Sequence, residues 1–223
     1  MNWQGLFFDT LDSTQDYLKA HWQNLAHGSY VVSQEQTHGK GREDRNWESA
    51  RGGLYFSVLL KPETVLPLLS WKAWMTSFKT LEHFANRPLQ LKAPNDILHQ
   101  GRKLSGLLID GAIQGSQPQY YIVGVGINTN QSDFSASLLA CRLKDLTKST
   151  VNHQELLTHW LKTFAQHLAC PDELWSRDLL AHFGERTVQF DYTNPHFIQL
   201  KEYWHEHTPR NTRDSRNFCS PAV

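Results

Sequence analysis

The chain has 223 residues, 39% of them hydrophobic and 12% aromatic, enough for a sizeable core and against global disorder. Its 22 lysines and arginines balance 22 aspartates and glutamates, so it lacks the basic excess of a dedicated duplex-DNA binder. No run of about 18 apolar residues and no basic segment leading into an apolar stretch occurs, which argues against a membrane span or secretory signal and for a cytoplasmic protein.

A short apolar stretch, Leu6 to Phe8, opens the chain, and Asp12 or Ser13 offers an N-cap for a helix through Asp16-Tyr17-Leu18-Lys19-Ala20. Tyr30-Val31-Val32 reads as a strand, and Leu54 to Leu60 as a buried strand stopped at Pro62. Trp71, Trp74, Met75, Phe78 and Leu81 follow helical spacing within Leu66 to Phe84. Three strands are expected next, at Leu89 to Lys92, Lys103 to Ile113 and Tyr120 to Val125; turn residues separate the first two, as between antiparallel neighbours. A second helical stripe runs from Leu156 to Leu168, followed by a short helix from Glu173 to Phe183 and one more strand at Thr187 to Phe190. Beyond Asp191 the chain is polar without a period and is expected to be weakly structured. Cys141, Cys170 and Cys219 are widely spaced and odd in number, and are expected as free thiols. Strands in the first two-thirds with helices to one side predict an α+β layered domain on a mainly antiparallel or mixed sheet.

Four segments carry chemistry. Gln36-Thr37-His38-Gly39-Lys40-Gly41-Arg42-Glu43-Asp44-Arg45-Asn46-Trp47 follows a strand and mixes glycines, cations and an indole. Glycines let a backbone approach a ligand closely, and the cations can surround a phosphate, so the segment reads as an anion-binding loop. It is not a P-loop, because the spacing and the Ser/Thr after the lysine are missing. Lys92-Ala93-Pro94-Asn95-Asp96-Ile97 on its own is an ordinary turn, and Lys103 in Arg102-Lys103-Leu104-Ser105-Gly106-Leu107-Leu108 is a lysine at a strand start. Gly124-Val125-Gly126-Ile127-Asn128 lacks the third glycine and following helix of a dinucleotide fingerprint. Asp12-Ser13-Thr14-Gln15 is, at the least, a helix cap. His205, Glu206, His207 and Cys219 do not have zinc spacing.

In this order from Ser13 to Asn130, the segments together resemble the catalytic domain of biotin–protein ligases. The resemblance implies the mixed α/β fold shared with class II aminoacyl-tRNA synthetases and lipoate ligases, with a central mainly antiparallel sheet and flanking helices. It implies ATP and biotin as substrates and Mg²⁺ as a cofactor. Biotinyl-5′-AMP forms first, and its acyl group then passes to a lysine of a biotin carboxyl carrier protein, such as an acetyl-CoA carboxylase subunit. On this reading Ser13, Thr14, Gln15, Gln36, Gly39, Lys40, Gly41, Arg42, Lys103 and Gly106 lie along biotin. Arg42, Arg45, Trp47, Asn95, Asp96 and Asn128 face the nucleotide. Lys103 and Arg42 are the catalytic pair, and Asp96 can act through Mg²⁺. Two departures stand out: Ala93 where the family has tryptophan, and Asp44 where it often has glycine.

The family's C-terminal SH3-like domain is expected to be truncated or altered, giving a catalytic domain over 1–184 and a remnant over 185–223. The Ser13 motif begins only a dozen residues in, so a monofunctional enzyme without a DNA-binding domain is expected, as monomer or homodimer and without DNA or membrane partners. The alternatives are a lipoate or octanoate ligase of the same superfamily, or a catalytically impaired biotin- or nucleotide-binding protein.

Overall fold

Alternation along the strands decides how the layers stack. The computed structural model describes residues 1–43, 45–132, 134–135 and 138–172. Within these, β1 (Gln4–Leu11), α1 (Thr14–His21), β2 (Ser29–Gln36), β3 (Leu54–Leu60), α2 (Leu69–Ala85), β4 (Gln90–Lys92), β5 (Asp96–His99), β6 (Arg102–Gln114), β7 (Gln117–Ile127), α3 (Leu143–Thr147) and α4 (His153–Ala169) follow in chain order. The strands form one seven-stranded sheet in the order β1-β2-β3-β7-β6-β5-β4. Only β1 and β2 run parallel; every other neighbouring pair is antiparallel.

On β3 the side chains of Leu54, Phe56, Val58 and Leu60 join Val123, Val125 and Ile127 of β7 under α2 and α4. There Phe56 meets Trp160 edge-on at 5.0 Å, and Trp160 meets Phe164 at 4.6 Å. Each large side chain fully buried in this way contributes about 1.5–3 kcal/mol. The opposite face carries a smaller apolar cluster in which Leu18 of α1 packs on Val31, Leu59 and Ile122. Beyond the footprint of α1, that face changes to Ser57, Gly106, Gly124 and Gly126. Short side chains there leave a trough instead of a core.

The strands and long helices expected from sequence are present. Leu6 to Phe8, read only as an apolar stretch, is the middle of β1. The strands at Leu89 to Lys92 and Lys103 to Ile113 are not the neighbours expected, because β5 lies between them. Two elements, β5 and α3, were not foreseen. β5 has only four residues between turn signals, too few to display a period, and it is held by pairing with β4 on one side and β6 on the other. α3 is a single turn anchored by buried Leu143 and Leu146. The expected helix at Glu173 to Phe183, the strand at Thr187 to Phe190, the polar tail and the 185–223 unit lie outside the described residues. Cys141 is a free thiol that burial pushes up to about 11. Cys170 is disulfide-bonded, a departure from the expected free thiols that spacing did not signal. No helix among the described residues is long and apolar enough to cross a membrane.

His153, the first residue of α4, ties the end of β7 to this layer through its Nε2, 2.7 Å from Thr129 Oγ1. Burial holds its pKa below the ordinary 6.5. The unfolded chain therefore binds a proton more readily than the folded one, and stability falls as the pH drops below 6.5. Replacing His153 with glutamine is expected to flatten that acid limb, which melting temperatures between pH 7 and pH 5 would read.

Candidate active site

The trough is floored by paired glycines. Gly106 of β6 stands opposite Gly126 of β7, and Ser57 of β3 opposite Gly124. A cavity of about 250 Å³ lies above them, walled by the start of α1, the segment after β2, the β4–β5 turn and the start of β6.

The segment after β2 folds as an irregular hairpin. Gln36 N donates to Ser49 O at 3.1 Å, Trp47 N to Gly39 O at 2.8 Å and Gly41 N to Arg45 O at 2.7 Å. This brings the Trp47 indole down onto the floor, where a Cβ on Gly126 would come within 2.5 Å of it and one on Gly106 within 2.9 Å. Only glycine permits that approach. The indole Nε1–H is buried there without a hydrogen-bond partner, a donor free to meet a ligand acceptor. Lys40 pairs with Asp16 of α1 at 3.0 Å, and Arg42 Nη1 reaches Asn95 Oδ1 at 3.5 Å, so the hairpin bridges both walls. Arg45, more exposed, pairs with Glu43 at 3.0 Å.

One end of the cavity is polar and uncharged. Ser13 caps α1 by accepting from Asp16 N at 3.3 Å. Thr14 N donates to Gln36 Oε1 at 2.9 Å, and the Thr14 and Ser57 hydroxyls are 2.8 Å apart. Gln36 is held in turn by Ser49, whose Oγ accepts from Nε2 at 2.8 Å.

The other end is charged. Lys103 Nζ sits 2.8 Å from Asp96 Oδ1 and 4.9 Å from the centre of the Trp47 ring. Its contact with Asp96 is an ion pair whose angles fall outside hydrogen-bond geometry, so Oδ1 stays a buried acceptor with no donor aligned on it. Asn95 Nδ2 donates to Leu107 O at 2.9 Å and Leu107 N to Asn95 O at 3.0 Å, which locks the turn against β6. Trp74 of α2 donates from Nε1 to Asp96 O at 3.1 Å, tying the same turn to the core.

Fourteen of the fifteen residues singled out from sequence line this one cavity: Ser13, Thr14, Gln15, Gln36, Lys40, Gly41, Arg42, Arg45, Trp47, Asn95, Asp96, Lys103, Gly106 and Asn128. Gly39 does not; it lies inside the hairpin, where a Cβ would strike Ser49 and Trp47. Asn128 lines the cavity with both ends of its amide already engaged, Nδ2 by Lys103 O and Oδ1 by Gln131 Nε2, each at 3.1 Å. That arrangement braces the start of β6. Sequence reading passed over Ser57, Leu107, Leu108 and Ala140, which also line the cavity. Ser57 had a visible signal, as the one serine in the otherwise large and apolar run Leu54–Leu60.

Comparison with known proteins places this geometry in context. A model of the biotin/lipoate A/B protein ligase family matches residues 7–128. The bifunctional ligase/repressor BirA of Bacillus subtilis is 32% identical over 170 residues, covering 71% of this chain and 52% of that protein. The biotin–[acetyl-CoA-carboxylase] ligase of Paracoccus denitrificans is 31% identical over 110 residues, or 47% of this chain and 45% of that one. Among solved structures, the biotin protein ligase of Aquifex aeolicus in complex with biotin and ATP superposes with a TM-score of 0.65 and 35% identity, covering 74% of this chain and 70% of that one. The chain thus spans about half the length of the curated relatives it matches.

Proposed function

We propose that this chain, which belongs to the biotin/lipoate A/B protein ligase family, is an ATP-dependent biotin–protein ligase. The observation that carries the reading is a single cavity joining a neutral hydrogen-bonding end at Thr14 and Gln36 to a cationic end at Lys103 and Arg42. A ureido ring suits the first end, because it carries both donors and an acceptor; a dithiolane or a plain alkyl chain would leave those groups unpaired, at about 1–3 kcal/mol each. This favours biotin over lipoate or octanoate.

In the first step the biotin carboxylate attacks the α-phosphorus of ATP and pyrophosphate leaves. Two anions must meet, and Lys103 supplies a fixed positive charge for the pentavalent phosphorus. Arg42 and Arg45 close over the phosphate from the hairpin, and Trp47 covers the reacting atoms and offers Nε1–H to an oxygen. Asn128 holds the Lys103 strand and acts as a positioning residue. In the second step a lysine amine of a biotin carboxyl carrier protein attacks the mixed anhydride and AMP leaves. The hairpin keeps water away from the anhydride in between.

Mg²⁺ is expected to arrive with the nucleotide. No group of three His, Cys, Asp or Glu among the described residues could hold a metal alone, which suits an ion bound chiefly by phosphates with one or two carboxylates. Asp96, with its buried Oδ1, is the residue that would hold it, and the ion would shield triphosphate charge. The reading is tested by biotin-dependent ATP–pyrophosphate exchange followed by transfer to a purified carrier domain; no exchange with biotin, or equal exchange with lipoate, would overturn it.

Arg42 gives a separate expectation. Glycine at this position removes the guanidinium that spans to Asn95, so the hairpin holds the adenylate less firmly. Arg42→Gly is expected to release biotinyl-5′-AMP and label bystander lysines while synthesis continues. Labelling confined to the carrier would count against a closing role.

A further inference from the structure

We infer that Ser57, Gln15 and Asp110 form a relay of hydrogen bonds that fixes the Thr14 hydroxyl as an acceptor, so that this end of the cavity selects ligands presenting an N–H. The inference rests on the proposed biotin ligase activity and deepens it, because it assigns specificity to Ser57 and Asp110, which lie outside the motifs.

Proton accounting sets the direction of the relay. Gln15 Nε2 lies 3.2 Å from Ile122 O and 3.3 Å from Asp110 Oδ2. Ile122 O can only accept, and Asp110 Oδ2 accepts as well, since it also faces the Lys19 ammonium at 2.8 Å. The Gln15 amide can therefore point only one way, with NH₂ toward Ile122 and Asp110 and Oε1 toward Ser57. Ser57 Oγ is 3.0 Å from that Oε1 and must spend its single proton there. The Thr14–Ser57 contact of 2.8 Å then has one available proton, that of Thr14. Thr14 Oγ1 also lies 3.2 Å from Gln36 Oε1, but donating there would leave two hydroxyl oxygens at 2.8 Å with no proton between them. Gln36 Oε1 is in any case an acceptor, oriented by its Nε2 bond to Ser49 and supplied by Thr14 N.

Two acceptors, Thr14 Oγ1 and Gln36 Oε1, are thus prepared in the cavity wall, with the one hydroxyl proton turned away from it. Gly124 gives the relay its room, since a Cβ there would come within 2.5 Å of Gln15 Oε1. Ser57 is fully buried, so water does not substitute for it. A ligand ring atom with lone pairs in place of N–H would face oxygen against oxygen.

The test compares biotin with its two cyclic carbamate analogues, in each of which one ring N–H is replaced by oxygen, using acid-dependent ATP–pyrophosphate exchange by the full chain. The unmodified protein is expected to favour biotin over the poorer carbamate by about tenfold or more in kcat/KM, through KM. Ser57→Ala frees the Thr14 hydroxyl to rotate and donate, and the preference should fall to about threefold or less. Asp110→Ala, at the far end of the relay, should shift the same ratio in the same direction by a smaller factor. Asp110→Asn, which keeps an acceptor oxygen for Gln15, should restore it. A role in packing alone would lower activity with all three acids in proportion and leave the ratio untouched; that outcome, or an unchanged ratio in Ser57→Ala, overturns the relay. If the unmodified protein fails to activate biotin, the ligase reading falls and the relay with it. Biotin activation with an unaltered ratio removes the relay alone.

Discussion

Replacing Lys103 with alanine is expected to slow biotin-dependent ATP–pyrophosphate exchange by about 10²–10³-fold, the usual cost of removing one well-placed stabiliser of transition-state charge. The side chain is not a bystander to folding, however, because it pairs with Asp96, whose carboxylate is largely buried. Removing the ammonium strands that charge at a cost of about 1–3 kcal/mol. The two effects separate in the double variant Lys103→Ala with Asp96→Asn, which removes the stranded charge. Its melting temperature should recover toward the unmodified value, while its exchange stays well below that of Asp96→Asn alone, the reference needed because Asp96 is also assigned to the metal. Exchange within threefold of the unmodified protein in Lys103→Ala would remove Lys103 from the chemistry. Recovery of exchange in the double variant would show that Lys103 acts only by neutralising Asp96.

The parts of this site that could be read from sequence are those where unusual residues crowd together along the chain. Gly39 to Trp47 and Arg102 to Leu108 are such segments, and their cations and glycines do gather at one cavity. Ser57 and Asp110 belong to the site's surroundings for a different reason. They are brought to Thr14 and Gln15 by strand register, Ser57 facing Gly124 across β3–β7 and Asp110 facing Ile122 across β6–β7. The contacts that result join Gln15 to Asp110 across 95 positions and to Ser57 across 42, and local spacing carries little of that information. Asn128, read from sequence as facing the nucleotide, has a further part that only the fold shows: its amide braces the site through Lys103 O and Gln131 Nε2. For the fold, long elements such as α2 and α4 announced themselves by period. The four-residue β5 owes its existence to partners on both sides and could be recognised only once they were in place.

Trp74 is where the core and the site meet, and its removal is expected to have the largest effect on stability. The alanine at position 93 leaves no indole at the turn that carries Asn95 and Asp96. Trp74 and Trp71, with ring centres 5.5 Å apart, bring large side chains to the same core against which Ala93 packs. A cavity of about 140 Å³ lies beside the turn, lined by Trp71, Pro94, Leu107 and Leu108 among others. Trp74 is fully buried, so Trp74→Ala should cost about 3–5 kcal/mol. In a domain of this size that lowers the melting temperature by roughly 6–20 °C. Trp74→Phe keeps most of the apolar contact and deletes the indole N–H that holds Asp96 O. About 0.5–1.5 kcal/mol of stability should go with that bond. Because the lost bond positions the backbone of Asp96, the KM for ATP should rise several-fold while the KM for biotin stays put. A Trp74→Phe protein with unaltered KM for ATP would mean that the turn is held by its bonds to β6 alone and that the core tryptophan serves only packing.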